Sequence, residues 1–171
     1  MQYQFRRAEE KDASKIWEIL QQAIQKRKEE GSEQWQDGYP NPEIVANDIA
    51  SKQGFVVLAD EILAGYVCIA INDEPAYDEL EGAWLTNEDF VVFHRAAIHK
   101  DFVGKGLATK MFNSIEKYAL HNKIHSIKAD TNFDNKPMLY LFEKLGYTYC
   151  GEVYFRGAPR KAYEKVLNNK Q

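Results

Sequence analysis

Along the chain, the spacing of apolar positions switches repeatedly between a period of two and a period of about three and a half. Tyr3–Ala8 alternates and predicts a strand. Ala13, Ile16, Trp17, Leu20, Ala23 and Ile24 fall on one stripe, which predicts an amphipathic helix with Asp12 as its cap and Gly31 as its stop. Asn41 followed by Pro42 predicts a second helix start. The apolar runs at 55–59 and 62–71 flank Asp60-Glu61 and predict paired strands. Residues 72–88 are polar and acidic around Trp84, which predicts an exposed excursion suited to binding. Asp89–Ile98 is a nearly unbroken β-rich run, the pattern of a central strand covered on both faces. Leu107, Met111, Ile115 and Ala119 then predict a helix, and His125–Thr131 a strand. A short helix follows, with Asn135 near its start, Pro137 in its first turn and Gly146 as its stop. Tyr147–Phe155 and Lys161–Leu167 close the chain as strands. The order β-α-α-β-β-β-α-β-α-β-β predicts an α/β (α+β) fold, a mixed sheet with helices on both faces.

Composition narrows the picture. A length of 171 residues predicts a single domain, 1–171, with one sizeable core. The net charge of −4 speaks against bulk nucleic-acid binding. No run approaches the roughly 18 apolar residues of a membrane span, and the first residues lack a signal-peptide core. Cys68 and Cys150 match no metal spacing and suit a reducing, cytoplasmic setting. No His/Cys/Asp/Glu group has ligand spacing, so no metal is expected.

Candidate chemistry gathers at Gly104-Lys105-Gly106, where strand becomes helix. The first N–H groups of a helix have no intrahelical acceptor and attract an anion. Glycine admits a phosphate to the backbone, and Lys105 adds a cation. No Walker A string is present, and Thr109 occupies the third position of a dinucleotide fingerprint where glycine is required. By these residues alone, a phosphate cradle and a plain joint are equally good readings.

The wider context resembles the acetyl-CoA-binding motif of the GNAT N-acetyltransferase superfamily. In that motif an apolar strand, here ending at Ile98, is followed by a turn and Arg/Gln-x-x-Gly-x-Gly/Ala opening a helix, here on Val103–Ala108. The segment from Asn135 to Tyr147 resembles the family's second signature. The resemblance covers nearly the whole chain. It implies a mostly antiparallel sheet of about seven strands and acetyl-CoA as cosubstrate. It also implies roles for particular residues. The N–H groups of Val103, Gly104, Lys105, Gly106, Leu107 and Ala108 would hold the pyrophosphate. The backbone of Ala96 and Ile98 would pair with pantetheine, and Asn135 would bond the pantetheine or thioester region. Dimerisation is common in the family, but no apolar stripe here specifies an interface. Two positions depart from the pattern: Val103 replaces Arg or Gln, and Phe142 stands at the cofactor site where many members carry a tyrosine general acid.

Acetyl transfer to an amine needs a group to take the amine's proton, a donor for the developing oxyanion and an exit for the thiolate. His94 is the candidate base, since an imidazole titrates near neutral pH and sits four residues before Ile98. In a regular strand the two share a face, and a bulge between them would break that parity. The Ile98 N–H is the candidate oxyanion donor. Trp35 and Tyr39, between the first two helices, are candidate acceptor-binding residues because aromatic faces attract ammonium groups. Arg156 and Arg160 would suit an acceptor carboxylate instead. His99, His121 and His125 sit at element ends and are expected on the surface. The reading is direct transfer from acetyl-CoA to the amine of a small molecule, amino acid or peptide. Its rival is a catalytically silent acyl-CoA-binding module, which Phe142 favours. Neither membrane nor nucleic acid is expected as a partner.

Overall fold

The structure is a computed structural model that describes residues 1–168. Its strands are β1 (Tyr3–Arg7), β2 (Gly54–Ala59), β3 (Ile62–Ile71), β4 (Glu81–Gly82), β5 (Val91–Ile98), β6 (Ser126–Asn132), β7 (Thr148–Phe155) and β8 (Ala158–Val166). The helices are α1 (Ala13–Glu29), α2 (Pro42–Ala50), α3 (Leu107–His121) and α4 (Lys136–Lys144). The strands form one eight-stranded sheet in the order β1-β2-β3-β5-β6-β8-β7-β4. The two-residue strand β4 adds to the expected seven. It lies inside the polar excursion, where no apolar alternation announces it. β5 and β6 run parallel, while β1–β2, β2–β3, β6–β8, β7–β8 and β4–β7 are antiparallel.

By chain contacts the described residues group into two compact units, 1–69 with 94–115 and 70–93 with 116–168. In the first unit, the stripe of α1 buries Ile16, Ile19, Leu20 and Ala23 against Val45 of α2 and Val56 and Tyr66 of the hairpin β2–β3. The side chain of Asn41 caps α2 by accepting from the Ile44 N–H at 3.0 Å, with Pro42 opening the first turn. Asp12 does not cap α1 with its side chain. Its carboxylate takes a two-pronged bond from the Arg6 guanidinium at 2.8 and 3.0 Å and accepts from the Glu9 N–H. The strongest available donor therefore claims the side chain.

The Arg6 hydrogen bond, opposed by burial and aided by the Glu9 N–H, holds the Asp12 carboxyl below the usual carboxylate range. Its folded value thus lies below its unfolded one. The stabilisation is complete above about pH 4 and is lost as pH falls through the folded value. Asp12→Asn is expected to flatten this acid limb when unfolding free energy is followed by urea titration at descending pH.

In the second unit, β6, β8, β7 and β4 carry the excursion, which is mostly exposed, as expected, but is anchored at Tyr77, Trp84 and Thr86. Tyr77 is buried and donates to Asp130 at 2.6 Å, and Trp84 Nε1 donates to the Tyr77 carbonyl. The fully buried Glu164 carboxylate accepts from the Leu85 N–H, the Thr86 N–H and hydroxyl, and the Ser126 hydroxyl. These bonds span 38 to 79 residues, so no local pattern predicts them. Lys128 Nζ lies 4.3 Å from the ring centres of both Trp84 and Phe90, and burial lowers its pKa.

Candidate active site

The first unit holds most of the sequence-predicted residues: His94, Ala96, Ile98, the 103–108 loop, Trp35 and Tyr39. Asn135 and Phe142 belong to the second.

Val103, Gly104, Lys105 and Gly106 are exposed, and α3 begins at the buried Leu107. Gly104 has φ +81 and Gly106 φ +79, the left-handed region that glycine enters without steric cost. A Cβ on either would meet no atom within 4 Å, so their outer side is open. Lys110 N–H is bonded to the Gly106 carbonyl at 3.2 Å, while the N–H groups of Leu107, Ala108 and Thr109 precede the first intrahelical bond. This arrangement of open, alternately left-handed backbone at a helix start fits a diphosphate.

His99 sets up the turn before the cradle. Its Nδ1 accepts from the Asp101 N–H at 3.1 Å, capping the single 3-10 turn at Lys100–Phe102. Its Nε2 lies 3.2 Å from the Gln22 amide of α1, whose oxygen accepts the Lys100 N–H at 2.9 Å. With 13% of its side chain exposed, His99 is not the surface residue expected from its place at a strand end. The signal available in the sequence was its position as a polar residue just before a helical turn.

β5 is not a regular strand. Arg95 takes φ +56 in mid-strand, and side-chain alternation breaks around it, with His94 and Arg95 both half-buried and Ala96 and Ala97 both buried. A left-handed residue at position 95 interrupts the regular alternation on which the expected same-face parity of His94 and Ile98 depended. The ladder of β5 with β6 pairs Val91 with Ile127 and Val92 with Lys128, and Ala96 and Ile98 lie further along β5.

The guanidinium of Arg95 donates to Asp48 of α2 from Nε at 2.9 Å and from Nη2 at 2.7 Å, and Nη1 donates to the Tyr39 hydroxyl. The Tyr66 hydroxyl also donates to Asp48, at 2.6 Å. Burial works against the Arg95 charge, but Cys68, Tyr39 and Asp48 outweigh it and raise its pKa. Burial, reinforced by the neighbouring Asp48 carboxylate, raises the pKa of Tyr66, which therefore remains a neutral donor. Sequence reasoning missed Asp48 and Arg95, because neither stands in a motif.

Trp35 is buried at φ +64, under the Arg27 guanidinium 4.9 Å from its ring. Tyr39 is half-buried and precedes a cis proline peptide.

In the second unit, Asn135 is buried and caps α4 by accepting from the Met138 N–H at 3.3 Å. Phe142 is buried among the rings of Phe93, Tyr147 and Tyr163, nearest to Tyr163 at 4.6 Å between centres. Tyr140, on the same helix, is 65% exposed, as a 200° offset predicts. Arg160 is buried, with Nε 3.2 Å from Asp130 Oδ1, which ties it to the sheet. The Tyr147 hydroxyl is buried without a hydrogen-bond partner among the described residues, and burial raises its pKa. Removing an unpaired buried hydroxyl relieves its desolvation cost. Tyr147→Phe is therefore expected to leave stability unchanged or raise it by about 1 kcal/mol in urea unfolding.

Residues 14–147 match the family model described as "Acetyltransferase (GNAT) family". The chain belongs to the GNAT acetyltransferase family. A GNAT-family acetyltransferase structure from Streptococcus agalactiae is 34% identical, covering 97% of this chain and 96% of that one with a TM-score of 0.89. One from Listeria monocytogenes is 22% identical, covers 96% and 95%, and has a TM-score of 0.77. YncA from Salmonella typhimurium, solved with its cofactor acetyl-CoA, is 16% identical, covers 100% and 97%, and has a TM-score of 0.69. At these identities the last two speak for the GNAT fold alone. Among curated proteins no similar sequence was found. Among the described residues, no helix of this GNAT chain is long and apolar enough to cross a membrane. No group of three or more His, Cys, Asp or Glu is placed to hold a metal among the same residues.

Proposed function

We propose that the protein is an acetyl-CoA-dependent N-acetyltransferase acting directly on the amine of a small molecule, amino acid or peptide. The observation that carries this reading is the Gly104-Lys105-Gly106 turn, left-handed at both glycines and open on its outer side, at the start of α3. The cosubstrate would supply an acetyl group activated as a thioester. The N–H groups of residues 103–108 would hold its pyrophosphate, with Lys105 adding charge. Ala96 and Ile98 would pair with its pantetheine arm. Asn135, whose side-chain oxygen caps α4, would bond the pantetheine or thioester region. His94 would take the proton from the attacking amine. The ring of Tyr39 would contact the acceptor. Trp35, buried under Arg27, would support the acceptor segment from beneath. Both cysteines are free and buried, which suits action in the reducing cytoplasm.

Phe142 favours a second reading, a silent acyl-CoA-binding module, since a buried phenylalanine has no proton for a departing thiolate. A thiolate is a weak enough base to leave unaided, so the catalytic reading survives the substitution. Calorimetry with acetyl-CoA tests what both readings share. Saturable binding at one site per chain is expected, and absence of binding would remove both. An unchanged pH–rate profile in His94→Ala would remove the histidine as base.

A further inference from the structure

Arg95 combines two features that rarely meet. It is a non-glycine residue at φ +56 in the middle of a strand, and it carries a guanidinium whose side chain is only 11% exposed. A left-handed non-glycine residue is strained and persists only where its surroundings over-determine it. Here they do so from two other elements. Asp48 of α2 receives the two-pronged bond, and Tyr39 of the α1–α2 segment receives the third N–H direction. The Tyr66 hydroxyl then anchors Asp48 itself. His94 precedes Arg95 directly, and Ala96–Ile98 follow it. The conformation of this one residue therefore decides where the candidate base and the candidate pantetheine-binding backbone face.

We propose that Arg95 is a positioning residue whose fork to Asp48, completed by Tyr39, fixes the kink in β5 and so the direction of His94 and the Ala96–Ile98 backbone. Tyr39 thereby joins the acceptor segment to the strand that carries the chemistry. Displacing its ring moves the hydroxyl that Arg95 bonds. The inference rests on the N-acetyltransferase reading for its effect on turnover, and on geometry alone for its effect on β5.

Two variants test it with readouts that a purely stabilising cluster would leave alone. Arg95→Lys keeps the charge but has no fork, and Tyr39→Phe removes one oxygen without changing charge. In both, the ring resonances of His94 and the hydrogen-exchange protection of residues 94–98 are to be compared with the unliganded wild type. Acetyl-CoA affinity and steady-state kinetics with a turned-over amine follow. Arg95→Lys is expected to shift the His94 resonances, expose the 94–98 amides and lower kcat about tenfold or more at saturating acetyl-CoA, since misplacement from outside the chemistry can cost about a hundredfold. Tyr39→Phe is expected to do the same to a smaller extent. Acetyl-CoA affinity is expected to weaken by no more than about tenfold, because the Ala96–Ile98 backbone that would pair with pantetheine is turned while the 103–108 cradle is untouched. Unmoved His94 resonances and unchanged exchange in Tyr39→Phe would overturn the proposal, even if Arg95→Lys failed to fold. So would a loss of thermal stability with wild-type kcat. A wild type that releases no thiol on any amine would sink the enzymatic reading instead, leaving the resonances and exchange to decide the positioning role.

Discussion

Asp48→Ala is expected to lower the unfolding free energy by about 3–5 kcal/mol, because it strands a buried cation. The side chains of Asp48 and Arg95 are 6% and 11% exposed, so little water reaches either. In the folded protein the carboxylate accepts both prongs of the guanidinium and the Tyr66 hydroxyl. Alanine leaves Nε and Nη2 of Arg95 and the Tyr66 hydroxyl without that acceptor. The charge stays, since a guanidinium does not deprotonate at accessible pH. The loss is therefore much larger than the roughly 0–1 kcal/mol of an exposed ion pair. The surface pair Lys15–Glu18 provides the contrast, with side chains 57% and 48% exposed. Glu18→Ala is expected to shift the urea midpoint little. If Asp48→Ala shifted it no more than Glu18→Ala, the buried network would not be what holds α2 to β5.

Gly106→Val is expected to weaken acetyl-CoA binding by about tenfold or more, because a β-branched residue is a genuine outlier at positive φ. No protein atom lies within 4 Å of the added Cβ, so the substitution causes no clash within the chain. Its cost is in the backbone. Either the valine is held at φ +79 under strain, or it relaxes and turns the N–H groups that open α3 away from their present directions. About 1.4 kcal/mol of either kind is a tenfold change in affinity. Gly31, after α1, is the internal control. It has φ +80 and equally open space, and no part in the cradle. Gly31→Val should cost comparable stability and leave acetyl-CoA affinity unchanged in calorimetry. Equal affinity for both variants would separate the glycine turn from cofactor binding.

The two glycines were legible because they sit at a joint between an apolar run and an amphipathic stripe, where local sequence decides local geometry. The caps Asn41 and Asn135 were legible for the same reason, each bonding an N–H three residues on. Asp12 looked identical in sequence, but Arg6 on a neighbouring strand claims its carboxylate. Residues 72–88 were legible in part: their acidic side chains are largely exposed, as their composition suggests, but Tyr77 is buried and Glu164 holds the Leu85 and Thr86 backbone from almost eighty residues away. Arg95 gave no sign at all. An arginine in an apolar run reads as an edge residue or a solvated position, and nothing local predicts a left-handed kink without glycine or asparagine. Its conformation is set by Asp48 and Tyr39, 47 and 56 residues distant. Local sequence thus marked the glycine turn proposed as the cofactor cradle, while the groups that orient the strand were hidden in long-range pairings.

Acetyl transfer by this GNAT chain is read out by thiol release. Purified protein is incubated with acetyl-CoA and a panel of small amines, amino acids and peptides, and free CoA thiol is followed over time. Release above the no-acceptor rate is expected with at least one class of amine, matched mole for mole by acetylated product in mass spectrometry. Binding of acetyl-CoA with no acceptor-dependent release across the panel would contradict it.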